Sequence, residues 1–318
     1  MTKSRRFYRD LNGILLLDKA LGLSSNAALQ EARAVFGARK AGHAGSLDPL
    51  ASGVLPVCFG QATKVCGRLL NSGKTYRVQV RLGARTASGD LETPVIERAE
   101  VPALSAEYVD TVLGSFEGEQ SQVPPMHSAL KFAGKRLYEL ARRGESVDRP
   151  ARRIVLRTLQ RIHFAEDVLT FAVHCSKGTY IRTLAADLAQ RLGTVGYVEG
   201  LRRLSVDPFG SFPAYTLAEL ASLSQEERDA KLLGADAAFA DLPRIDLDER
   251  NESGLLLGQT VDPRAPTLPG EARAYGAHGD FLGLVEAQST GRIKPLRLFM
   301  PAGMSAEAQP ETGPDAGL

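Results

Sequence analysis

Lys74-Thr-Tyr-Arg-Val-Gln-Val-Arg-Leu82 alternates with a period of two: Tyr76, Val78, Val80 and Leu82 share one face, and Arg77, Gln79 and Arg81 share the other. Successive side chains of a strand point to opposite sides, so this pattern predicts a half-buried β-strand. Working outward, Val168 to Cys175 alternates in the same way, Gly13-Ile-Leu-Leu-Leu-Asp18 reads as a short buried strand, and Val195 to Leu204 is a further strand candidate. Helices fall between them. Ser24-Ser25-Asn26 offers N-caps to Ala27–Phe36, which ends at Gly37. Gln61 to Leu70 is closed by Asn71-Ser72-Gly73, and Ser105 to Leu113 is another helical stretch. Thr179 to Leu192 carries Ile181, Leu184, Leu188 and Leu192 on one stripe and stops at Gly193. Thr216-Leu-Ala-Glu219 is a capping-box signature opening an acidic helical segment. Residues 40–53, with three glycines and Asp48-Pro49, read as a loop. Strands and helices mix without strict βαβ alternation, which predicts an α+β fold rather than a doubly wound sheet.

The chain has 318 residues, 43% of them hydrophobic and 24% charged, which excludes disordered and fibrous classes. That length suggests two domains or one large domain with an appendage. No apolar run approaches the roughly 18 residues of a membrane helix, and the basic start Met1–Arg9 leads into Asp10-Leu11-Asn12-Gly13, not a signal sequence. Cys58, Cys66 and Cys175 are odd in number and lack a Cys-x-x-Cys pair, which argues against a disulfide framework or zinc cluster and suits a cytoplasmic location. His174 and Cys175 point to opposite faces of their strand and do not suit one metal.

The net charge of +2 hides an uneven distribution. Residues 123–161 carry ten Lys or Arg against three acids, a net of +7, whereas residues 219–252 carry ten acids against four bases, a net of −6. The basic segment also holds Phe132, Gly134, Tyr138 and Pro150, a composition suited to nucleic acid, although a solvated surface explains most charge runs. Beyond about residue 252 glycine and proline punctuate short apolar runs, a β-rich composition; residues 301–318 carry no Lys or Arg and are expected to be disordered.

Two stretches could carry chemistry. In Lys40-Ala-Gly-His-Ala-Gly-Ser-Leu-Asp-Pro-Leu50, small residues let the backbone approach a ligand. Pro49 moves Asp48 away from helical geometry, although Asp-Pro is also an ordinary turn dipeptide. In Cys175-Ser-Lys-Gly-Thr-Tyr-Ile-Arg182 a strand runs into a helix N-terminus. Arg182 sits in the first turn against the helix dipole, which points to a paired carboxylate or phosphate, the alternative being a Thr179 cap with a solvated arginine. Common Walker, dinucleotide, zinc-protease and serine-hydrolase motifs are absent from the sequence.

Together with Gly13-Ile-Leu-Leu-Leu-Asp-Lys19, Gly42-His-Ala-Gly-Ser-Leu-Asp-Pro-Leu-Ala-Ser-Gly-Val-Leu-Pro56, Lys74-Thr-Tyr-Arg77, Ser128-Ala-Leu-Lys131 and Leu201-Arg-Arg-Leu204, these stretches resemble, in order, the motifs of the bacterial tRNA pseudouridine-55 synthases, the TruB family. The resemblance runs from about residue 11 to 215 and more weakly beyond. It implies a pseudouridine-synthase fold with a mixed, mainly antiparallel central sheet. The implied domains are a basic extension over residues 1–10, a catalytic domain over 11–250 with a thumb-like basic insertion at 123–153, a PUA-like RNA-binding domain over 251–300, and the tail 301–318.

The implied reaction isomerises uridine 55 in the T-arm loop of tRNA: N1–C1′ breaks, the base turns and C5–C1′ forms, with no redox step, so no cofactor or metal is expected. By resemblance Asp48 is the nucleophile, Arg182 its ion-pair partner, and Tyr76 the aromatic stacked on the target base. Tyr180 and Leu201 are further walls, and His43 enters the RNA loop where the flipped nucleotide was. Lys19, Lys64, Lys131 and Arg136 are implied RNA contacts. Tyr76 and Leu201 also suit a plain packing role. A tRNA T-arm is the implied partner, with a monomer and no obligatory protein partner expected. A non-catalytic tRNA-binding factor on the same scaffold is the rival reading, as is a guide-RNA-dependent synthase. The chain departs from the family pattern at Ala20, at His127, and in Thr86-Ala-Ser-Gly-Asp-Leu-Glu-Thr93, which leaves Asp90 without an assigned role.

Overall fold

A computed structural model describes residues 8–128, 130–132, 134–210, 212–263 and 268–299. The expected disordered tail and most of the basic extension lie outside these residues. The chain divides into two compact units, residues 1–233 and 234–318.

In the first unit the elements follow in order: β1 (Gly13–Lys19), α1 (Ser25–Phe36), β2 (Ala41–His43), β3 (Ala51–Phe59), a 3-10 turn (Gly60–Val65), α2 (Cys66–Asn71) and β4 (Lys74–Leu82). Then come the hairpin β5 (Ala84–Thr86) and β6 (Val95–Arg98), α3 (Ala106–Gly114) and β7 (Gly118–Gln122). The basic insertion holds β8 (Lys131–Phe132), β9 (Lys135–Arg136) and α4 (Leu137–Ala141). β10 (Arg152–Ala165), β11 (Val168–Cys175), α5 (Ile181–Arg191), β12 (Gly196–Val206), α6 (Leu217–Ser222) and α7 (Gln225–Asp229) complete the unit.

The central sheet runs β1-β3-β12-β4-β11-β10-β7, with β2 added on β3. Every pair is antiparallel except β3 with β12, so the sheet is mixed and mainly antiparallel, as the family resemblance implied. Apolar faces decide where the helices lie. Val78, Val80, Leu82, Leu169, Phe171 and Val173 form one core with the buried stripes of α3 and α5. Leu15, Leu17, Leu55, Val57 and Phe59 form another with Ala28, Leu29, Ala32 and Phe36 of α1. Ser24 caps α1, its hydroxyl accepting the Ala27 amide hydrogen, and Gly37 closes it in the left-handed conformation. Gly53 (φ +102°) fixes the unusual parallel join: a Cβ there would lie 2.1 Å from the Arg203 carbonyl oxygen, so only glycine admits so close an approach.

The structure differs from the sequence reading in places. The loop is confined to residues 44–50, because Ala41–His43 and Ala51–Phe59 pair as strands in which small residues are no obstacle. Gln61–Leu70 is a 3-10 turn followed by a short helix, not one helix. The last long helix begins at Ile181, and the Thr179 hydroxyl donates to the Ser176 carbonyl instead of capping it.

The second unit opens earlier than the composition shift near residue 250. A 3-10 turn (Ala235–Phe239) and β13 (Arg244–Asp246) precede α8 (Glu249–Leu256), β14 (Gly270–Tyr275), β15 (Phe281–Ala287) and β16 (Ile293–Leu298). β13 pairs in parallel with β14, tying part of the acidic segment into the sheet β13-β14-β15-β16 and into its core of Ile245, Ala274, Leu282 and Val285. Among the described residues no helix is long and apolar enough to cross a membrane.

Candidate active site

Loop 44–50 presents Asp48 between β2 and β3, and its backbone is pinned independently of the carboxylate. The buried Ser25 hydroxyl lies 2.7 Å from the Leu47 amide nitrogen and 2.9 Å from the Leu47 carbonyl oxygen. The Ala51 amide donates to the Asp48 carbonyl at 3.0 Å. Asp48 is left as a half-exposed carboxylate at the end of a fixed loop.

Arg182, in the first turn of α5, is 8% exposed and reaches Asp48 with Nη2 to Oδ2 at 3.0 Å. A second carboxylate faces it: Asp90 Oδ2 lies 3.6 Å from Nη1. Arg182 also donates to the Ser88 carbonyl from Nη1 at 3.0 Å and to the His127 carbonyl from Nη2 at 2.7 Å. The guanidinium that opposes the helix dipole is thus paired, as its position predicted, but with two carboxylates. Asp90 is itself oriented, its Oδ1 accepting from the Ser88 hydroxyl at 2.6 Å and the Glu92 amide at 2.9 Å. The loosely matching segment 86–93 therefore supplies a partner that the sequence left unassigned, and its backbone reaches β12 through Val198 N to Gly89 O at 2.9 Å.

Asp48 and Arg182 line a cavity of about 300 Å³ with Tyr76 from β4, Leu201 from β12 and Tyr180 at the head of α5. Five of the expected site residues thus meet around one space, although they come from four separate stretches of chain. Burial raises the Tyr76 hydroxyl pKa, with Arg203 acting in the opposite sense. Lys74 and Arg203, which the sequence did not single out, lie on the same wall. The Lys74 ammonium donates to the carbonyls of Leu69, Leu70 and Ser72 at 2.9, 3.0 and 2.6 Å, and burial, helped by Arg203, lowers its pKa to about 8. The signal for Arg203 was the alternation of β12, which puts it on the face of Leu201.

Asp48 and Arg182 also border a larger cavity of about 850 Å³, reached by His43 at the end of β2 and by Arg136, Tyr138 and Arg142 of the basic insertion. His43 has a buried Nδ1 without a hydrogen-bond partner, and burial lowers its pKa. Lys131 is exposed on β8, paired in register with Arg136. The root of the insertion is fastened to the site: the Gln122 side chain accepts from the Tyr180 amide at 2.8 Å and donates to its carbonyl at 3.1 Å.

Lys19 requires a correction. Expected at an RNA surface, it is fully buried, its ammonium donating to the carbonyls of Ala20 at 2.9 Å and Leu23 at 2.7 Å. Burial lowers its pKa, opposed by the charge of nearby Asp48. With no exposed surface it offers nothing to a phosphate. Lys64 is half-buried in the 3-10 turn. The basic count also divides: Arg152, Arg153, Arg157 and Arg161 belong to β10, where Arg161 makes two 2.8 Å bonds to Asp110.

A buried arginine is paired with a half-exposed carboxylate on a cavity walled by tyrosine and leucine, and a basic insertion borders the wider cavity beside it. The comparisons with known proteins give this arrangement a family. The TruB family pseudouridylate synthase N-terminal domain matches residues 33–181, a tRNA pseudouridylate synthase B C-terminal domain matches 182–245, and a pseudouridine synthase II TruB C-terminal domain matches 243–299. The tRNA pseudouridine synthase B of Methylobacillus flagellatus is 45% identical over 299 residues, covering 94% of this chain and 99% of that protein. The namesake from Burkholderia mallei is 45% identical over 304 residues, covering 94% and 97%. The chain belongs to the TruB family of pseudouridylate synthases. A chain of a Cbf5-Nop10-Gar1 complex shares the fold, with a TM-score of 0.69 at 23% identity over 91% of this chain and 85% of that one.

Proposed function

We propose that this chain converts uridine 55 in the T-arm loop of tRNA to pseudouridine, acting as a cytoplasmic monomer without cofactor or metal. The position of Asp48 at the seam of two cavities carries the reading: one is small and walled by aromatic and aliphatic side chains, the other wide and bordered by basic ones. The names of the relatives support tRNA as the substrate. The flipped base enters the smaller cavity and stacks on Tyr76 between Tyr180 and Leu201, and His43 fills the gap left in the loop. Flipping costs a few kcal/mol, which stacking at about 1–3 kcal/mol per base offsets. Asp48 attacks as the nucleophile, and Arg182 keeps it ionised and aimed. Arg136, on the wider cavity, and Lys131, its partner in register on β8, meet phosphates, and the C-terminal unit is a PUA-like module on the acceptor-stem side of the tRNA.

Incubating the purified chain with a T-arm stem-loop transcript, without added metal or guide RNA, should yield pseudouridine at position 55 by carbodiimide mapping; an unmodified transcript overturns the reading. Lys131→Ala with Arg136→Ala should lower the slope of log affinity against log salt by about 1–2. An unchanged slope in filter binding would remove the basic arm from the RNA interface.

A further inference from the structure

Arg203 is 1% exposed, the bulkiest of the fully buried side chains. On β12 its neighbour Arg202 turns outward to grip Asp18 at 3.0 and 2.6 Å, while Arg203 turns inward with Leu201. Its Nε donates to the Val54 carbonyl at 2.6 Å and its Nη2 to the Gly45 carbonyl at 3.1 Å. Among the described residues no carboxylate lies within ion-pair distance of it. Nη1 lies beside Gly45, where a Cβ would stand 3.5 Å away, so the glycine leaves room next to it. Burying a cation without a counter-charge is unfavourable, and the chain does so on the wall that also holds Asp48 and Tyr76.

The other cations of this cavity are committed. Arg182 faces two carboxylates and donates to two carbonyls, so it adds little positive potential to the space. Lys74 spends its hydrogen bonds on three carbonyls. Arg203 is the uncompensated charge, and its field acts on its surroundings: it opposes protonation of His43 and Lys74 and favours ionisation of Tyr76, the residue opposite it on β4.

Resting on the pseudouridylation proposed above, we propose that Arg203 stabilises the negative charge that the uracil acquires when its glycosidic bond breaks. Both electrons of N1–C1′ leave with the base, and the charge spreads over N1, O2 and O4. The Asp48 carboxylate takes the place of N1 on C1′; C5 then bonds to C1′ and releases that carboxylate, the C5 proton is lost and N1 gains a proton, so nothing is oxidised, reduced or hydrolysed. A guanidinium fixed by two carbonyls and 1% exposed is suited to a charge that exists only during the reaction.

The test compares wild type with Arg203→Met and Arg203→Lys, all in the full chain, on stem-loops carrying uridine or 5-fluorouridine at the target. The readout is single-turnover loss of the N1-linked nucleoside, with stem-loop Kd and thermal unfolding measured alongside. Arg203→Met should slow uridine conversion about 100- to 1,000-fold, with Kd changed less than about threefold, and Arg203→Lys, which keeps the cation, should recover at least tenfold of that. Fluorine makes the base a better leaving group, so the Met variant's deficit should shrink on 5-fluorouridine. An equal deficit on both bases, a Lys variant no better than Met, or a loss confined to Kd would assign Arg203 to holding Gly45 and Val54 in place. If Arg203→Met does not fold, the Lys variant alone decides, by whether its deficit depends on the base. A wild-type chain that leaves uridine unmodified overturns the parent reading and this one with it.

Discussion

Asp48→Asn should reduce single-turnover conversion of a T-arm stem-loop at least about 10⁴-fold while leaving RNA affinity within about threefold. Asparagine preserves size, and its amide oxygen can still accept from Arg182 Nη2, which lies 3.0 Å from the native carboxylate. The loop around it is held through Ser25, Leu47 and Ala51 rather than through the Asp48 side chain. That side chain is half exposed, so its replacement leaves no buried group unpaired and the unfolding transition should not move. What is lost is the carboxylate charge facing Arg182 and, on the proposed mechanism, the nucleophile. An affinity loss of tenfold or more would instead make Asp48 part of the RNA-binding surface.

Arg182→Met should lose activity to a similar degree and stability as well, by about 3–5 kcal/mol. The second effect comes from Asp90, whose side chain is 9% exposed and whose Oδ2 would be left without a cation. The bonds from the Ser88 hydroxyl and the Glu92 amide hold Oδ1 alone. Adding Asp90→Asn to Arg182→Met should therefore restore most of the stability in urea unfolding and none of the turnover. A single variant as stable as wild type would show that water or relaxation compensates Asp90.

Much of this was legible in the chain. The period-two patterns over 74–82 and 168–175 are strands with the predicted bounds, because their apolar faces meet the helices that the 3.6-residue stripes defined. The strand Ala51–Phe59 was hidden. It is buried almost throughout, so alternation disappears, and its glycine and proline imitate a loop. The acidic segment concealed the start of the second unit because β13 has only three residues and gains its stability from the distant β14.

Within the site, motif order brought out Asp48, Tyr76 and Arg182, but not what surrounds them. Asp90 acts through a turn closed by Thr86, Ser88 and Thr93, a pattern that has no periodicity. Lys19 looked like a phosphate contact because a lysine's sequence does not say whether its ammonium meets water or carbonyls. Arg203 differs from Arg202 only by the parity of a strand whose register shifts nearby, between Arg203 and Ser205.

The His127 carbonyl on Arg182 bears on any attempt to redirect this enzyme to another RNA. Exchanging the insertion at residue 123 for a foreign one would carry away a ligand of the guanidinium paired with Asp48. The Ser128 carbonyl, one peptide further, accepts from the Tyr138 amide at 3.0 Å and so anchors the start of α4 to the same root. A functional chimera must keep Met126, His127 and Ser128 native and place its first junction after them. The root of a grafted arm has to be designed together with the Asp48–Arg182 pair, because one short stretch of backbone serves both.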